Sequence, residues 1–149
     1  MIAPSSIVLA LTLFALTVWV FAFWRGARAE RWGAAIIMAN QALTFVLTYF
    51  VGRQSPGPIG LIAQLTLDGA AAVALLLVLL RFGRPWLGIA MLLYAAQFTL
   101  QSVYIVAALK KDYLHVLLNN LNFIAIHLSL AIGTGQVWLR NRRSAKGQG

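Results

Sequence analysis

The sequence contains no cysteine and very few charged residues, and both shortages restrict what the protein can be. Without cysteine the chain can form no disulfide, no thiolate-ligated metal site and no thiol nucleophile. Only 10% of the 149 residues are charged, whereas a soluble domain carries about a quarter. Because 61% of the residues are hydrophobic, the composition excludes an ordinary soluble domain and is typical of a membrane-spanning protein.

Five apolar runs are long enough to cross a bilayer core of about 30 Å, which takes about 20 helical residues. Short segments join them, so consecutive helices must run antiparallel. Arginines follow the first run directly and no positive charge precedes it, which indicates a retained span rather than a cleaved signal peptide. We therefore predict an all-α bundle of five transmembrane helices over residues 1–139, followed by a basic cytoplasmic tail at 140–149. The predicted spans are 7–24, 33–52, 61–80, 87–109 and 114–139.

The basic residues are distributed unevenly between the two ends of the predicted bundle. Nine follow the first, third and fifth spans, and three follow the second and fourth. The positive-inside rule then predicts an outside N-terminus and a cytoplasmic C-terminus. All five tryptophans fall near the same cytoplasmic ends, where an indole is favoured. We therefore attribute the net charge of +9 to membrane topology rather than to a nucleic-acid partner. The nine basic residues at the predicted cytoplasmic ends are Arg25, Arg28, Arg31, Arg81, Arg84, Arg140, Arg142, Arg143 and Lys146.

Asp68 is the only acidic residue inside any of the five runs. Gln64 precedes it by four positions and so shares its helix face. An ionised carboxylate in lipid costs several kcal/mol, and for that reason such groups face protein or water. Asp68 lies about 10 Å below the outer end of its span, since a helix rises 1.5 Å per residue.

Amide and hydroxyl side chains lie at a similar depth on three other helices, at positions that repeat every three or four residues. We expect them to converge with Asp68 on a polar pocket in the outer half of the bilayer. The residues predicted for this pocket are Asp68, Gln64, Gln97, Gln101, Asn119, Asn122, Thr44 and Tyr104.

Three interpretations of this polar interior stay open. The amides can hold the helices together by hydrogen bonds of about 0.6–2 kcal/mol each, with no further role. The same groups can instead bind a small ligand or a partner protein. In the third interpretation Asp68 handles protons or ions.

Catalytic patterns are missing from the sequence, which has no paired carboxylates, no phosphate-binding loop and no serine–histidine–acid spacing. His115 and His127 are about 18 Å apart along one helix and could not ligate one haem iron together. The sequence therefore favours a protein that is not an enzyme, and it predicts no cofactor and no metal site. The run 133–135 (Gly-Thr-Gly) is interpreted as a helix-packing element, and Glu30 as a surface partner of a nearby arginine.

The second half of the chain carries a small set of distinctive features. An aspartate, Asp68, stands early in an alanine-leucine helix, the turn at 84–87 reads Arg-Pro-Trp-Leu, Gln97 follows in the next span, and Gly133-Thr134 precedes the basic tail. In these features residues 68–143 resemble a loose class of uncharacterised small inner-membrane proteins of alphaproteobacteria. In that class a histidine often follows the glutamine, where this chain has Gln101 and a serine. The resemblance implies a bacterial inner membrane and no particular activity.

Three functional classes fit these observations. The first is a non-enzymatic membrane protein that acts as an accessory subunit or small-ligand binder through the pocket around Asp68. The second is a proton-linked small transporter or channel, oligomeric in form, and the third is a phage-type holin. The expected partners are the lipid bilayer and another membrane protein subunit or a second copy of the chain.

Overall fold

A computed structural model describes the backbone of residues 4–54, 58–107, 109 and 113–146. Within these residues it contains five helices and no strand, and each helix is long and apolar enough to cross a membrane. This confirms the predicted all-α architecture with five membrane-length helices. The helices are α1 (Pro4–Arg25), α2 (Arg28–Gln54), α3 (Pro58–Phe82), α4 (Pro85–Val106) and α5 (Tyr113–Lys146).

The helices extend beyond the predicted apolar runs into arginine-rich segments. Only Gly26 and Ala27 separate α1 from α2, and α5 continues to Lys146 through residues for which the sequence predicted a tail. Arginine lowers hydropathy but is a good helix former, so each apolar run ends before its helix does. The connections at this end of the bundle, which we call the arginine-rich end, are therefore shorter than expected.

The five helices form a ring. Each helix packs on its neighbours in sequence, and α1 closes the ring by packing against α5. The most extensive packing joins α3 to α4, and α2 also contacts α5 across the interior. As a result, α2, α3, α4 and α5 together enclose the middle of the bundle.

Trp86 of α4 fills the interior at the arginine-rich end. Pro85 occupies the first turn of α4, as is usual for proline, and Trp86 follows it. A Cβ atom on Gly33 of α2 or on Gly133 of α5 would overlap the indole ring, so both glycines allow the ring to lie directly against a backbone. Trp86 is therefore buried, whereas the sequence placed it among the interfacial tryptophans.

The outer surface of the ring is apolar, and the polar side chains of the spans lie mostly inside. Large apolar residues such as Leu77, Leu80 and Val106 are exposed on the exterior. An exposed apolar surface of this extent is unusual for a soluble monomer and suits contact with lipid. The fold therefore keeps most polar side chains of the spans away from its apolar outer surface.

Candidate functional site

The Asp68 carboxylate is buried between three helices and is held by two amide donors. Asn40 of α2 donates from Nδ2 to Oδ1 over 3.3 Å, and Gln101 of α4 donates from Nε2 to Oδ2 over 3.0 Å. Among the described residues, no arginine, lysine or histidine nitrogen lies within ion-pairing distance of this carboxylate. Within the described part of the chain, the groups that hold this carboxylate are therefore neutral amides.

A second group of amides joins α4 to α5. Gln97 donates from Nε2 to the side-chain oxygen of Asn119. Asn122 donates from Nδ2 to Gln97 Oε1 over 3.1 Å and to the backbone carbonyl of Leu93 over 3.1 Å. These bonds hold the three amide side chains in fixed positions on the side of the interior opposite α2 and α3.

A cavity of about 100 Å³ lies between the two groups. Nine of its eleven lining residues carry a polar side-chain group, so the space suits water or a polar ligand rather than an apolar one. At about 30 Å³ for each water molecule, it has room for about three. The lining residues are Asn40, Gln41, Thr44, Gln64, Asp68, Tyr94, Gln97, Asn119, Asn122, Phe123 and Ile126.

The cavity lies toward the end of the bundle opposite the arginines. Asn119 is six residues into α5 and Asp68 is ten residues into α3, which correspond to about 9 and 15 Å along the helix axes. Both α3 and α5 begin at the end of the bundle that lies opposite the arginine-rich end. The polar interior is therefore separated from the arginine-rich end by the buried Trp86.

The structure brings together seven of the eight residues that the sequence predicted for the pocket. Six line the cavity, and Gln101 supports it through its bond to Asp68. The exception is Tyr104, whose ring centre lies 4.5 Å from that of His115 near the end of α4. Tyr104 shares a helix face with Gln97 but lies about 10 Å further along the axis, and this distance takes it out of the cavity. The six lining residues are Asp68, Gln64, Gln97, Asn119, Asn122 and Thr44.

Three polar residues of the site were missing from the prediction. Asn40 and Gln41 of α2 and Tyr94 of α4 line the cavity, and Asn40 Nδ2 lies 3.5 Å from the hydroxyl oxygen of Tyr94. The signal was present in the sequence, because Asn40 stands one helical turn from Thr44 and Tyr94 stands one turn from Gln97. All three residues therefore stand within one helical turn of a residue that the prediction included.

Glu30 forms a separate polar cluster at the arginine-rich end, where the sequence predicted a surface ion pair. It is fully buried; its Oε1 accepts from Trp86 Nε1 over 3.2 Å and lies 3.9 Å from Arg84 Nε. Its Oε2 accepts from the backbone N–H of Ala27 over 3.1 Å, which caps the start of α2. The two-residue connection before α2 places this first turn inside the bundle, so the expectation of a surface pair was wrong.

The two histidines lie outside both polar clusters. His127 is buried beside the rings of Phe14, Trp19 and Phe123, and its Nδ1 lies 2.8 Å from the carbonyl oxygen of Phe123. That carbonyl can only accept, so Nδ1 carries the proton. His127 therefore packs in an aromatic layer between α1 and α5 and is not among the residues that line the cavity.

Comparisons with protein-family models, with curated proteins and with solved structures find no match to this chain. The chemistry of the site must therefore be inferred from the side chains around the cavity. They comprise one carboxylate, several amides, and the hydroxyls of Thr44 and Tyr94. Such a set can bind a small polar molecule or a small cation through oxygen atoms and N–H donors.

Proposed function

We propose that this protein is a small, non-enzymatic integral membrane protein that binds a small polar ligand in the cavity around Asp68. The observation that carries the proposal is a buried carboxylate beside a polar cavity, held by amides and, within the described residues, lacking a cationic partner. An amide network that only joins helices needs no such space. A cavity beside a carboxylate provides room for the group that completes its charge.

The hydrogen-bonding capacity of Asp68 supports this proposal. An ionised carboxylate has about four acceptor sites, and each of its two oxygens receives one side-chain donor, from Asn40 and from Gln101. About two acceptor sites therefore remain for a ligand. A ligand with N–H or O–H donors would satisfy them and would be favoured over one that only accepts.

The proposal includes an orientation in a bacterial cytoplasmic membrane, with the N-terminus outside and the arginine-rich end in the cytoplasm. The uneven distribution of basic residues supports it. In this orientation the cavity lies in the outer half of the bilayer. Single cysteines at Ser5 and Ser144 test it with a membrane-impermeant thiol reagent on intact cells, where only the Ser5 position should react. Labelling of both positions from one side would contradict the five-span arrangement.

Ligand binding is tested by thermal unfolding of the purified protein with a panel of small cations and hydrogen-bonding solutes. A ligand at about 100 times its Kd should stabilise the folded state by about 2.7 kcal/mol, because it binds only that state. We expect stabilisation of the wild type and none for Asp68→Asn. Thr66→Ala is the matched control, since Thr66 is exposed on the same helix. Equal stabilisation of wild type and Asp68→Asn would contradict the proposal.

A proton-linked carrier or channel is the second candidate. The same lack of a cationic partner favours it, because a proton would neutralise Asp68 as well as a ligand would. In sealed liposomes this function requires solute flux that depends on a proton gradient and disappears in Asp68→Asn. An accessory-subunit role instead requires that the protein co-purifies with one fixed membrane partner.

A further inference from the structure

A second cavity lies on the outside of the ring, in the groove between α4 and α5. Its volume is about 380 Å³, and six of its eight lining residues are leucine or alanine. It opens on the apolar exterior of the bundle, so hydrocarbon chains of a membrane can reach it without crossing a polar layer. The lining residues are Leu93, Ala96, Gln97, Leu100, Leu118, Leu121, Asn122 and Ala125.

Gln97 and Asn122 line both this groove and the polar cavity around Asp68. The two side chains are joined by the 3.1 Å bond from Asn122 Nδ2 to Gln97 Oε1. They therefore form a partition one pair of amides thick between an apolar space and a polar one. A rotation of either side chain, with loss of the hydrogen bond between them, would connect the two spaces.

The sizes of the two spaces indicate different roles. Pockets for small molecules measure about 300–1,000 Å³. The polar cavity, at about 100 Å³, is below this range and the groove, at about 380 Å³, is within it. The polar cavity suits a head group and the groove suits an apolar chain. One molecule with both parts would fill them together.

We propose that the ligand is a single-chain amphiphile with a small ammonium head, which enters from the bilayer between α4 and α5. This inference rests on the proposed function, since it names the ligand class of the same site. The head is cationic because Asp68 faces the cavity without a cationic partner among the described residues. An ammonium group also supplies three N–H donors. One matches a remaining acceptor site of the carboxylate, and two match the second lone pairs of Gln97 Oε1 and Asn119 Oδ1, each of which already accepts one amide hydrogen bond.

The proposed path can be blocked without altering the polar cavity. Ala96 and Ala95 are adjacent and both exposed on α4, but only Ala96 lines the groove. Ala96→Trp fills the groove with an indole, and Ala95→Trp places the same side chain outside it. Since neither position is buried, both variants should fold, and equal melting temperatures would verify this.

The experiment titrates decylammonium into the full-length protein in a non-ionic detergent and counts bound molecules by native mass spectrometry. We expect one decylammonium per chain, with decanol binding about tenfold or more weakly because it lacks the charge. Ala96→Trp should weaken decylammonium binding by about tenfold or more, since the chain loses its groove. Ala95→Trp should bind like the wild type.

The outcomes separate this inference from the proposed function. If Ala96→Trp binds decylammonium as well as Ala95→Trp does, while Asp68→Asn does not bind it, the cavity holds the head but the groove is not used. Absence of decylammonium binding by the wild type, or equal binding of decanol, overturns the ammonium amphiphile and leaves the solute panel to judge the cavity. If Asp68→Asn binds decylammonium like the wild type, both the inference and the role of Asp68 fail.

Discussion

Two carboxylates are buried in the part of the chain that the structure describes, and the protein satisfies them in different ways. Glu30 receives the indole N–H of Trp86 and the backbone N–H of Ala27, and Arg84 lies 3.9 Å away. Asp68 receives two side-chain amides and, within the described residues, no cation. The protein therefore compensates the charge of Glu30 itself, whereas the charge of Asp68 remains available to a ligand or a proton.

The partners also differ in how far they can adapt. An indole or a backbone N–H can only donate, so the geometry around Glu30 has one solution. A carboxamide carries both a donor and an acceptor, so Asn40 and Gln101 can reverse their amides when the central group changes. Donor-only partners are typical of a structural anchor. Adaptable partners suit a site where the occupant or the protonation state changes.

The largest effect should come from removing the indole that holds Glu30. Trp86→Ala leaves a void between Gly33 and Gly133 and removes a donor from a buried carboxylate, so we expect a loss of about 3–5 kcal/mol in the free energy of unfolding. Unfolding in mixed detergents measures it, with Trp32→Ala as the control because Trp32 is 59% exposed. Similar losses for the two variants would show that Trp86 does not anchor the bundle.

Two glycines on α5, one beside Trp86 and one away from it, provide a test of the close packing of this indole and a control for it. A Cβ on Gly133 would overlap the indole, but Gly135 has open space around it. We expect Gly133→Ala to destabilise the protein by about 1–3 kcal/mol through overpacking. Gly135→Ala should be neutral or stabilising by up to about 1 kcal/mol, because alanine favours the helix. The reverse order in the same unfolding assay would contradict this packing.

Replacing each buried carboxylate with its isosteric amide compares the roles of Glu30 and Asp68 directly. Glu30→Gln places an NH₂ group against a donor-only partner, which should cost about 1–3 kcal/mol of folding free energy. Asp68→Asn should cost less, because Asn40 and Gln101 can reverse their amides, yet it should abolish ligand binding. Melting temperatures and the solute panel, measured on both variants, test the contrast. A more severe folding defect in Asp68→Asn would assign the structural role to Asp68 instead.

The smallest effect distinguishes two tyrosines of α4. Tyr94 lines the cavity, whereas Tyr104 packs on His115 outside it. Tyr94→Phe should weaken ligand binding by about 0.5–1.5 kcal/mol, the usual worth of one hydrogen bond. Tyr104→Phe should leave ligand affinity unchanged. Titration of both variants with the same ligand measures the two affinities. An equal loss in both would mean that the site extends to the end of α4.

Much of the candidate site could be predicted from spacing on single helices. Polar residues at steps of three and four share a helix face, and this rule correctly predicted that Gln64, Gln97 and Asn122 lie at the cavity. The errors concern position along the axis. Tyr104 was included although it lies beyond the cavity, because the offset between neighbouring helices depends on how their surfaces interlock. Residue spacing within a single helix gives no information on how far that helix is shifted along its axis relative to its neighbours.

The sequence by itself determined the number of membrane-length helices and the inward position of Asp68, since both follow from the cost of exposing polar groups to hydrocarbon. Only the tertiary structure decided which groups Asp68 meets, that Glu30 is buried, and that Gln97 and Asn122 separate a polar cavity from an apolar groove. These features depend on the rotation and offset of each helix. Close contacts between helices set both, such as that of Trp86 with the backbones at Gly33 and Gly133.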